Sequence, residues 1–220
     1  SLKRVLASGA RLILLDEPLS GLDDAAAETL LPELVAGAMA ALARPGTVLV
    51  LATARGREAL RLGGDAIVLD QGRVPQSGPV GEVCARPANR RIAELAPDPP
   101  MNFFTAYIEA AGARTLYGEP VPMAWDLRQA LAPSCMVGFH AGAARFGERP
   151  RAALSVLASI LPERLDVAAR FMRVEAAGGR WIVPAPGLAD DAGEVVIHVA
   201  DADFFIFDAA GNLAAQPASD

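Results

Sequence analysis

Four consecutive apolar residues, Leu12 to Leu15, lead directly into two carboxylates, Asp16 and Glu17, and then into Pro18. A short run that is apolar at every position is typical of a strand buried on both faces, and hence of a parallel sheet. Pro18 predicts the end of this strand because proline cannot donate to the sheet ladder. We therefore predict a central strand that carries two adjacent acidic side chains at its C-terminal end.

The residues after this strand alternate between helix-like and strand-like segments. Ala25 to Ala43 predicts a long helix, Thr47 to Thr53 a second buried strand, and Asp65 to Asp70 a third. Gly81 to Ala96 predicts one or two further helices. This alternation indicates an α/β domain with a parallel sheet. Because three buried strands make a small sheet, the segment resembles the back half of such a domain.

The composition changes at the proline-rich stretch from Ala96 to Pro100, which predicts a linker. Every aromatic residue of the chain follows Pro100, and short apolar runs there alternate with Gly, Pro and Asp turns. Such runs are typical of a small antiparallel β domain or barrel, although Ala152 to Ile160 fits either a helix or a strand. We predict two domains, residues 1–98 and 99–220.

Charge and cysteine content exclude several classes of protein. The chain carries 20 basic and 26 acidic residues, a net charge of −6, which predicts that nucleic acid is not a partner. No apolar run approaches the roughly 18 residues that span a bilayer, and no secretion leader is visible. Two cysteines, Cys84 and Cys135, are too few for a disulfide framework or a zinc site. These features predict a cytoplasmic protein.

The two carboxylates are the candidate site for chemistry. Ligands of open α/β sheets bind at the C-terminal ends of the strands. Phosphoryl transfer needs a carboxylate close to Mg²⁺ and a second group that orients the attacking water, and Asp16 and Glu17 supply two such groups. The alternative interpretation is a strand that simply enters a polar turn.

The continuation Leu19-Ser20-Gly21-Leu22-Asp23 favours the functional interpretation. With it, the stretch resembles the Walker B motif and D-loop of the ATP-binding subunits of ABC transporters. The resemblance implies that Asp16 holds Mg²⁺ and that Glu17 is the catalytic general base. It also implies that Ser20, Gly21 and Asp23 line the interface with a second nucleotide-binding domain.

The resemblance extends to the fold of both domains. It implies the C-terminal half of a RecA-like nucleotide-binding domain with a parallel sheet, followed by an OB-like antiparallel β domain. Residues 100–103 (Pro-Met-Asn-Phe) are similar to the entry into the TOBE regulatory domain of sugar and glycerol-phosphate importers. The fold class predicted here is therefore α/β plus β.

Residues 53–60 resemble the switch segment of the same family, commonly Thr-His-Asp-x-x-Glu-Ala. Ala54 stands at the position of the histidine that contacts the γ-phosphate, and a methyl group cannot make that contact. The resemblance therefore implies an impaired hydrolytic site, since losing a positioning group costs orders of magnitude in rate. We interpret the neighbouring Arg55 as a solvated surface residue.

The phosphate-binding loop and the signature motif of the family are absent from this sequence. Lys3 is the only lysine, and no glycine-rich pattern precedes it. We expect these motifs upstream, in a longer subunit that uses ATP and Mg²⁺, and we expect this chain alone to bind ATP negligibly.

The resemblance implies an importer subunit on the cytoplasmic face of the membrane. Its expected partners are a second ATP-binding subunit and transmembrane permease subunits, and its expected solute is a carbohydrate, a polyol or glycerol phosphate. Two alternatives remain open: a structural partner that never hydrolyses ATP, and a small-molecule sensor in the β domain. We interpret His140 and His198 as packing residues.

Overall fold

A computed structural model describes residues 2–97, 99–148, 150–164, 171–185 and 193–217. Residue 98, in the predicted linker, lies outside this set. Residues 169–170, at the start of one of the short apolar runs after the linker, lie outside it as well. The chain forms two compact units, Ser1–Ala85 and Arg86–Asp220. The predicted boundary between residues 98 and 99 rests on the change in composition. The assignment of residues 1–98 and 99–220 to two different kinds of domain stays a prediction.

The helices of the first unit are α1 (Leu2–Leu6), α2 (Asp24–Leu42), α3 (Gly56–Leu62) and α4 (Val80–Ala85). Its strands are β1 (Leu12–Asp16), β2 (Val48–Ala52), β3 (Asp65–Asp70) and β4 (Arg73–Pro79). The predicted helices and strands are therefore confirmed to within one or two residues. Strands β1 and β2 pair in parallel, with Leu12 opposite Val48 and Asp16 opposite Ala52.

Strand β3 corrects the predicted topology. It pairs antiparallel with β4 in a two-stranded sheet, so the parallel sheet in the described residues contains β1 and β2 and not β3. The turn between β3 and β4 is formed by Gln71 and Gly72, which both have positive φ, 48° and 74°. Two successive left-handed residues match the twist of a tight hairpin, so local turn chemistry explains this antiparallel pairing.

The burial of β1 and β2 is also different from the prediction. Ile13 and Leu15 are buried in one core cluster with α2, whereas Leu12 and Leu14 are exposed. Val48 and Val50, which pair with Leu12 and Leu14, are exposed as well. The sequence predicted burial on both faces, but in the structure only one face of this parallel pair is covered.

The second unit is built mainly from strands. Its helices are α5 (Arg90–Leu95) and α6 (Trp125–Leu131), with short 3₁₀ turns at Ala141–Ala143 and Asp201–Asp203. Its strands are β5 (Asn102–Glu109), β6 (Gly112–Arg114), β7 (Pro120–Val121), β8 (Ser134–Phe139), β9 (Ala153–Arg164), β10 (Phe171–Ala176), β11 (Gly179–Pro184), β12 (Glu194–Ala200), β13 (Phe205–Phe207) and β14 (Leu213–Ala215). The ambiguous segment from Ala152 to Ile160 is therefore a strand.

These strands form two antiparallel sheets with the orders β14-β13-β8-β5-β6-β7 and β11-β10-β9-β12. Both sheets contribute to one core, in which Trp181 stacks edge to face on Phe139 at 5.0 Å between ring centroids. Asn102 joins the sheets because its side chain exchanges two hydrogen bonds with the backbone of Ile182, at 2.6 and 2.7 Å. The predicted antiparallel β domain is thus confirmed as an architecture, and the fold class is α/β plus β.

Helix α5 belongs with the β unit. Its Ala93 is buried in a second cluster with Met101, Phe205 and Phe207, on the other face of the six-stranded sheet. The backbone also connects the two segments, since Arg90 N–H donates to Gly211 C=O at 2.9 Å. Apolar packing around Ala93 therefore explains why the compact unit begins before the predicted linker.

Candidate functional site

The two carboxylates lie where β1 ends. Asp16 is the last residue of the strand and is exposed, and Glu17 follows it and is half-buried. The backbone N–H of Glu17 donates to Ala52 C=O at 2.9 Å, so the ladder with β2 continues one residue beyond the strand. Both carboxylates therefore lie beside the end of β2, from which the switch-like segment begins.

Glu17 has an unusual backbone conformation. Its φ is 43°, in the left-handed region that costs a non-glycine residue about 1 kcal/mol. Strained residues of this kind cluster at functional sites, where the surrounding hydrogen bonds maintain them. The left-handed turn redirects the chain immediately after Asp16, so the alternation of side chains along the strand ends at this pair.

The loop from Leu19 to Asp23 is compact. Leu19 is buried in the core, while Ser20 and Gly21 are exposed, and two turn hydrogen bonds close the loop: Ser20 N–H to Glu17 C=O at 3.1 Å and Leu22 N–H to Leu19 C=O at 3.2 Å. Ser20 and Gly21 are therefore accessible, as an interface role requires.

Asp23 also has a structural role at the start of α2. Its carboxylate accepts a hydrogen bond from Ala26 N–H at 2.8 Å and caps the N-terminus of α2. An N-cap of this type contributes about 1 kcal/mol to helix stability. The spacing of an Asp directly before a helical pattern is the signal that predicts such a cap.

The switch-like segment is organised around a buried carboxylate. Glu58 is 2% exposed, and Thr53 Oγ1 donates to its Oε2 at 2.8 Å. The same Thr53 hydroxyl accepts from Arg55 N–H at 3.0 Å, which fixes the turn into α3. Ala54 is exposed between them, so the segment presents a methyl group at the surface at this position.

Arg55 is not the solvated residue that the sequence suggested. It is half-buried, and its Nη2 donates to Leu22 C=O at 3.1 Å, 33 residues earlier in the chain. Arg57, two residues on, forms an ion pair with Glu28 of α2. Both arginines thus connect this segment to the loop and helix that follow β1. Sequence reasoning missed the contact between Arg55 and Leu22, because no local pattern signals a hydrogen bond across 33 residues.

The donor chemistry of the site fits a magnesium ion. Within the described residues, no cluster of three or more His, Cys, Asp or Glu side chains is placed to hold a metal on its own. Mg²⁺ in phosphoryl-transfer sites does not need such a cage, because one or two carboxylates suffice when substrate phosphates and waters complete its shell. Asp16, an exposed carboxylate at the end of a parallel strand, is a suitable ligand of this kind.

The two histidines lie in the β unit and make packing contacts there. The His140 ring stacks edge to face on Phe205 at 5.4 Å, and His198 Nδ1 is 2.8 Å from Ser155 Oγ on the neighbouring strand. His198 is buried. These contacts agree with their interpretation as packing residues.

Comparison with known proteins shows a consistent set of relatives, although no family profile matches the chain. It is 34% identical over 170 residues to a spermidine/putrescine import ATP-binding protein of Pseudomonas aeruginosa, covering 77% of this chain and 40% of that protein. It is 36% identical over 117 residues to a trehalose import ATP-binding protein of Mycobacterium tuberculosis (53% and 28%). It is also 36% identical over 107 residues to a maltose/maltodextrin import ATP-binding protein of Klebsiella aerogenes (49% and 35%).

These relatives agree in one respect and differ in another. Each is an import ATP-binding protein, and their solutes are polyamines in one case and sugars in the others. The chain matches 40% or less of the length of each of them. The likeness therefore concerns the type of protein and not its solute.

Proposed function

We propose that this chain is part of the ATP-binding subunit of an ABC importer, in which ATP binding and hydrolysis drive the uptake of a solute. The observation that carries the proposal is the pair Asp16 and Glu17 at the carboxyl end of a parallel strand, beside the Thr53–Glu58 segment, in a chain whose relatives are import ATP-binding proteins. This proposal combines the site geometry with the likeness to ATP-binding subunits of ABC importers.

Each site residue has a role in this proposal. Asp16 holds Mg²⁺, which in such sites neutralises the charge that develops on the transferred phosphoryl group. Glu17 orients the attacking water and accepts its proton at the carboxylate. Ser20, Gly21 and Asp23 face a second nucleotide-binding domain, and the exposure of Ser20 and Gly21 supports that placement.

We further propose that hydrolysis at this site is impaired. Ala54 is exposed at the switch position, and its methyl group offers no donor to a γ-phosphate. A missing contact of this kind lowers a rate by about 10² to 10³-fold. The second candidate function, a structural partner that does not hydrolyse ATP, rests on the same residue, whereas Glu17 favours residual catalysis.

The partners follow from this function. They are a second ATP-binding subunit, identical or different, and transmembrane permease subunits at the cytoplasmic face of the membrane. In the described part of the chain, no helix is both long and apolar enough to span a bilayer. The expected carbohydrate, polyol or glycerol-phosphate solute agrees with the two sugar-import relatives, while the polyamine relative supports a wider range.

The remaining parts of the proposal concern the rest of the subunit. The exposed apolar face of β1 and β2 supports a further layer of the nucleotide-binding domain, which carries the phosphate loop and signature motif. The two antiparallel sheets support a TOBE-like regulatory domain over residues 99–220. A domain that binds a small molecule without ATP chemistry is the third candidate.

Single-turnover ATP hydrolysis by the full-length subunit with its permease tests the proposal. We expect Glu17→Gln to abolish hydrolysis and Ala54→His to raise its rate at least tenfold. Glu33→Gln is the matched control, because Glu33 lies outside the motifs, in the middle of α2, where it pairs with Lys3 at an exposed position, and we expect it to leave the rate unchanged.

The outcomes separate the candidate functions. A native rate at background that Ala54→His does not raise favours the structural partner. A native rate equal to that of an ordinary importer contradicts the impaired site. Micromolar binding of Mg-ATP to the 220-residue chain, measured by calorimetry, contradicts the expectation that the binding motifs lie elsewhere.

A further inference from the structure

The side chain of Arg55 connects two segments that are remote in sequence. Its Nη2 donates to Leu22 C=O at 3.1 Å, and both groups are partly buried. Hydrogen bonds from a charged donor are about twice as strong as neutral ones. This contact therefore holds the loop from Leu19 to Asp23 against the segment that follows β2.

The acceptor is a carbonyl that α2 leaves unused. The first helical hydrogen bond of α2 runs from Ala27 N–H to Asp23 C=O, so the carbonyl of Leu22 precedes the helix and takes no part in its ladder. Leu22 packs against the core of the first unit. Without the guanidinium, this carbonyl would be partly shielded from water and would have no strong hydrogen-bond donor.

The donor is fixed in position by the residues around it. Arg55 N–H donates to Thr53 Oγ1 at 3.0 Å, and Thr53 Oγ1 donates to the buried carboxylate of Glu58 at 2.8 Å. Arg55 C=O in turn accepts from Glu58 N–H at 3.0 Å. The backbone of Arg55 is therefore held at both its N–H and its C=O, and its side chain starts from a defined point.

We propose that Arg55 is a positioning residue that fixes the loop Leu19–Asp23 through its hydrogen bond to Leu22 C=O. Among the described residues, the other hydrogen bonds of this loop span no more than four residues, and this one connects it to the end of the neighbouring strand. The consequence is that Ser20 and Gly21 are presented in one geometry, set by the position of the segment after β2.

The meaning of this coupling for transport rests on the proposed function, in which the same loop faces a second nucleotide-binding domain. A change at the switch-like segment would then alter the loop directly, through one side chain. The contact itself needs neither nucleotide nor partner, so it can be tested on the chain by itself.

The test is nuclear magnetic resonance on the isotopically labelled 220-residue chain without nucleotide. We compare the native chain with Arg55→Ala and Arg55→Lys, and measure the carbonyl ¹³C shift of Leu22 and the exchange rates of the Ser20 and Leu22 amides. Arg55→Ala moves the Leu22 carbonyl shift and raises both exchange rates about tenfold, the equivalent of one charged hydrogen bond. Arg55→Lys, which keeps a charged donor, restores part of the protection.

Arg57→Ala is the matched control. Arg57 lies in the same segment and pairs with Glu28 of α2, so its removal perturbs the same helix without touching Leu22 C=O. It leaves the Leu22 carbonyl shift and both exchange rates within twofold of the native values. Urea unfolding of each variant identifies a general loss of stability, and Arg55→Gln replaces Arg55→Ala if the alanine variant does not fold.

Two results would overturn the proposal. One is an unchanged Leu22 carbonyl shift in every folded Arg55 variant. The other is an equal effect of Arg57→Ala, which would mean that the loop responds to any weakening of the segment. Either result leaves the hydrolysis experiment on Glu17 and Ala54 untouched, and a failure of that experiment leaves this measurement equally interpretable.

Discussion

The two units differ in how their sheets are covered. In the first, the parallel pair β1 and β2 packs one face on α2 and leaves an apolar face of Leu12, Leu14, Val48 and Val50 exposed. In the second, two antiparallel sheets enclose a shared core, and the six-stranded sheet also packs its other face around Ala93 of α5. The second unit thus buries its apolar strand faces more completely than the first.

The unit that holds the candidate site is therefore different from the unit that has the more closed core. The candidate site lies entirely in the first unit, at the end of β1 and in the loops beside it. Segments that bind or move are generally drawn from the less densely packed parts of a protein. The closed core of the second unit suits a stable domain, whereas the open strand face of the first suits a sheet that receives a further layer.

The largest expected effect comes from opening the core of the second unit. Trp181 is fully buried, its ring packs on Phe104 and Phe139, and its Nε1–H donates to Phe103 C=O at 3.1 Å. We expect Trp181→Ala to lower the free energy of unfolding of this unit by about 3–5 kcal/mol. Hydrogen exchange read by mass spectrometry in increasing urea follows the two units separately and measures this loss.

Trp125→Ala is the control for this change, because Trp125 is 67% exposed at the start of α6. We expect it to alter the free energy of unfolding by no more than about 0.5 kcal/mol. If the two tryptophan variants lost equal stability, the core of the second unit would not be closed as described. A matching loss in the first unit would mean that the units unfold together.

A smaller effect is expected from the covered face of β1. Ile13 is 1% exposed beneath α2, whereas Leu14, its neighbour on the opposite face, is 65% exposed. We expect Ile13→Ala to cost the first unit about 2–4 kcal/mol and Leu14→Ala to cost no more than about 0.5 kcal/mol. Both values come from the same urea and hydrogen-exchange measurement.

The result for Leu14 decides how this strand face is used. An equal cost for Leu14→Ala and Ile13→Ala would show that the exposed face is already covered in solution, for example by a second copy. A concentration-dependent loss in Leu14→Ala alone would point to the same conclusion. A small, concentration-independent effect supports an open face in this chain.

Sequence reasoning worked where the signal is local. The boundaries of α2 follow from a capping aspartate and a helical pattern, and β1 follows from an apolar run that ends at a proline. The parallel pairing of β1 and β2 and the antiparallel β unit also follow from pattern and turn frequency. The apolar runs, capping residues and turns on which these predictions depend are each patterns of a few neighbouring residues.

The misses concern contacts that are remote in sequence. A fully apolar strand does not reveal that only one of its faces is covered. The contact between Arg55 and Leu22 C=O joins residues 33 positions apart, and no periodicity encodes it. The roles of Asp16, Glu17 and Ala54 depend on a bound nucleotide and remain predictions.

The smallest expected effect concerns Cys135 in the core of the second unit. Burial raises the pKa of its thiol to about 11, because a thiolate there would lose its hydration. In a Cys84→Ser background, in which Cys135 is the remaining cysteine, we expect labelling by a disulfide reagent at pH 8 to be much slower than that of an exposed thiol. Labelling at the speed of a solvated thiol would show that water reaches this core.

The raised pKa of Cys135 also fixes the direction of a pH effect on stability. The unfolded chain ionises this thiol near its ordinary pKa of 9.0, whereas the folded chain keeps it protonated to about pH 11. The contribution of Cys135 to stability is therefore constant below pH 9 and falls as the pH rises from 9 to 11, since ionisation then favours the unfolded state. Cys135→Ala removes this part of the loss of stability at alkaline pH. Urea unfolding at pH 8 and pH 10 measures the difference in the free energy of unfolding. An identical alkaline loss in the native chain and in Cys135→Ala would mean that the thiol is as solvated in the folded unit as in the unfolded chain, which would break the contrast between a closed and an open core.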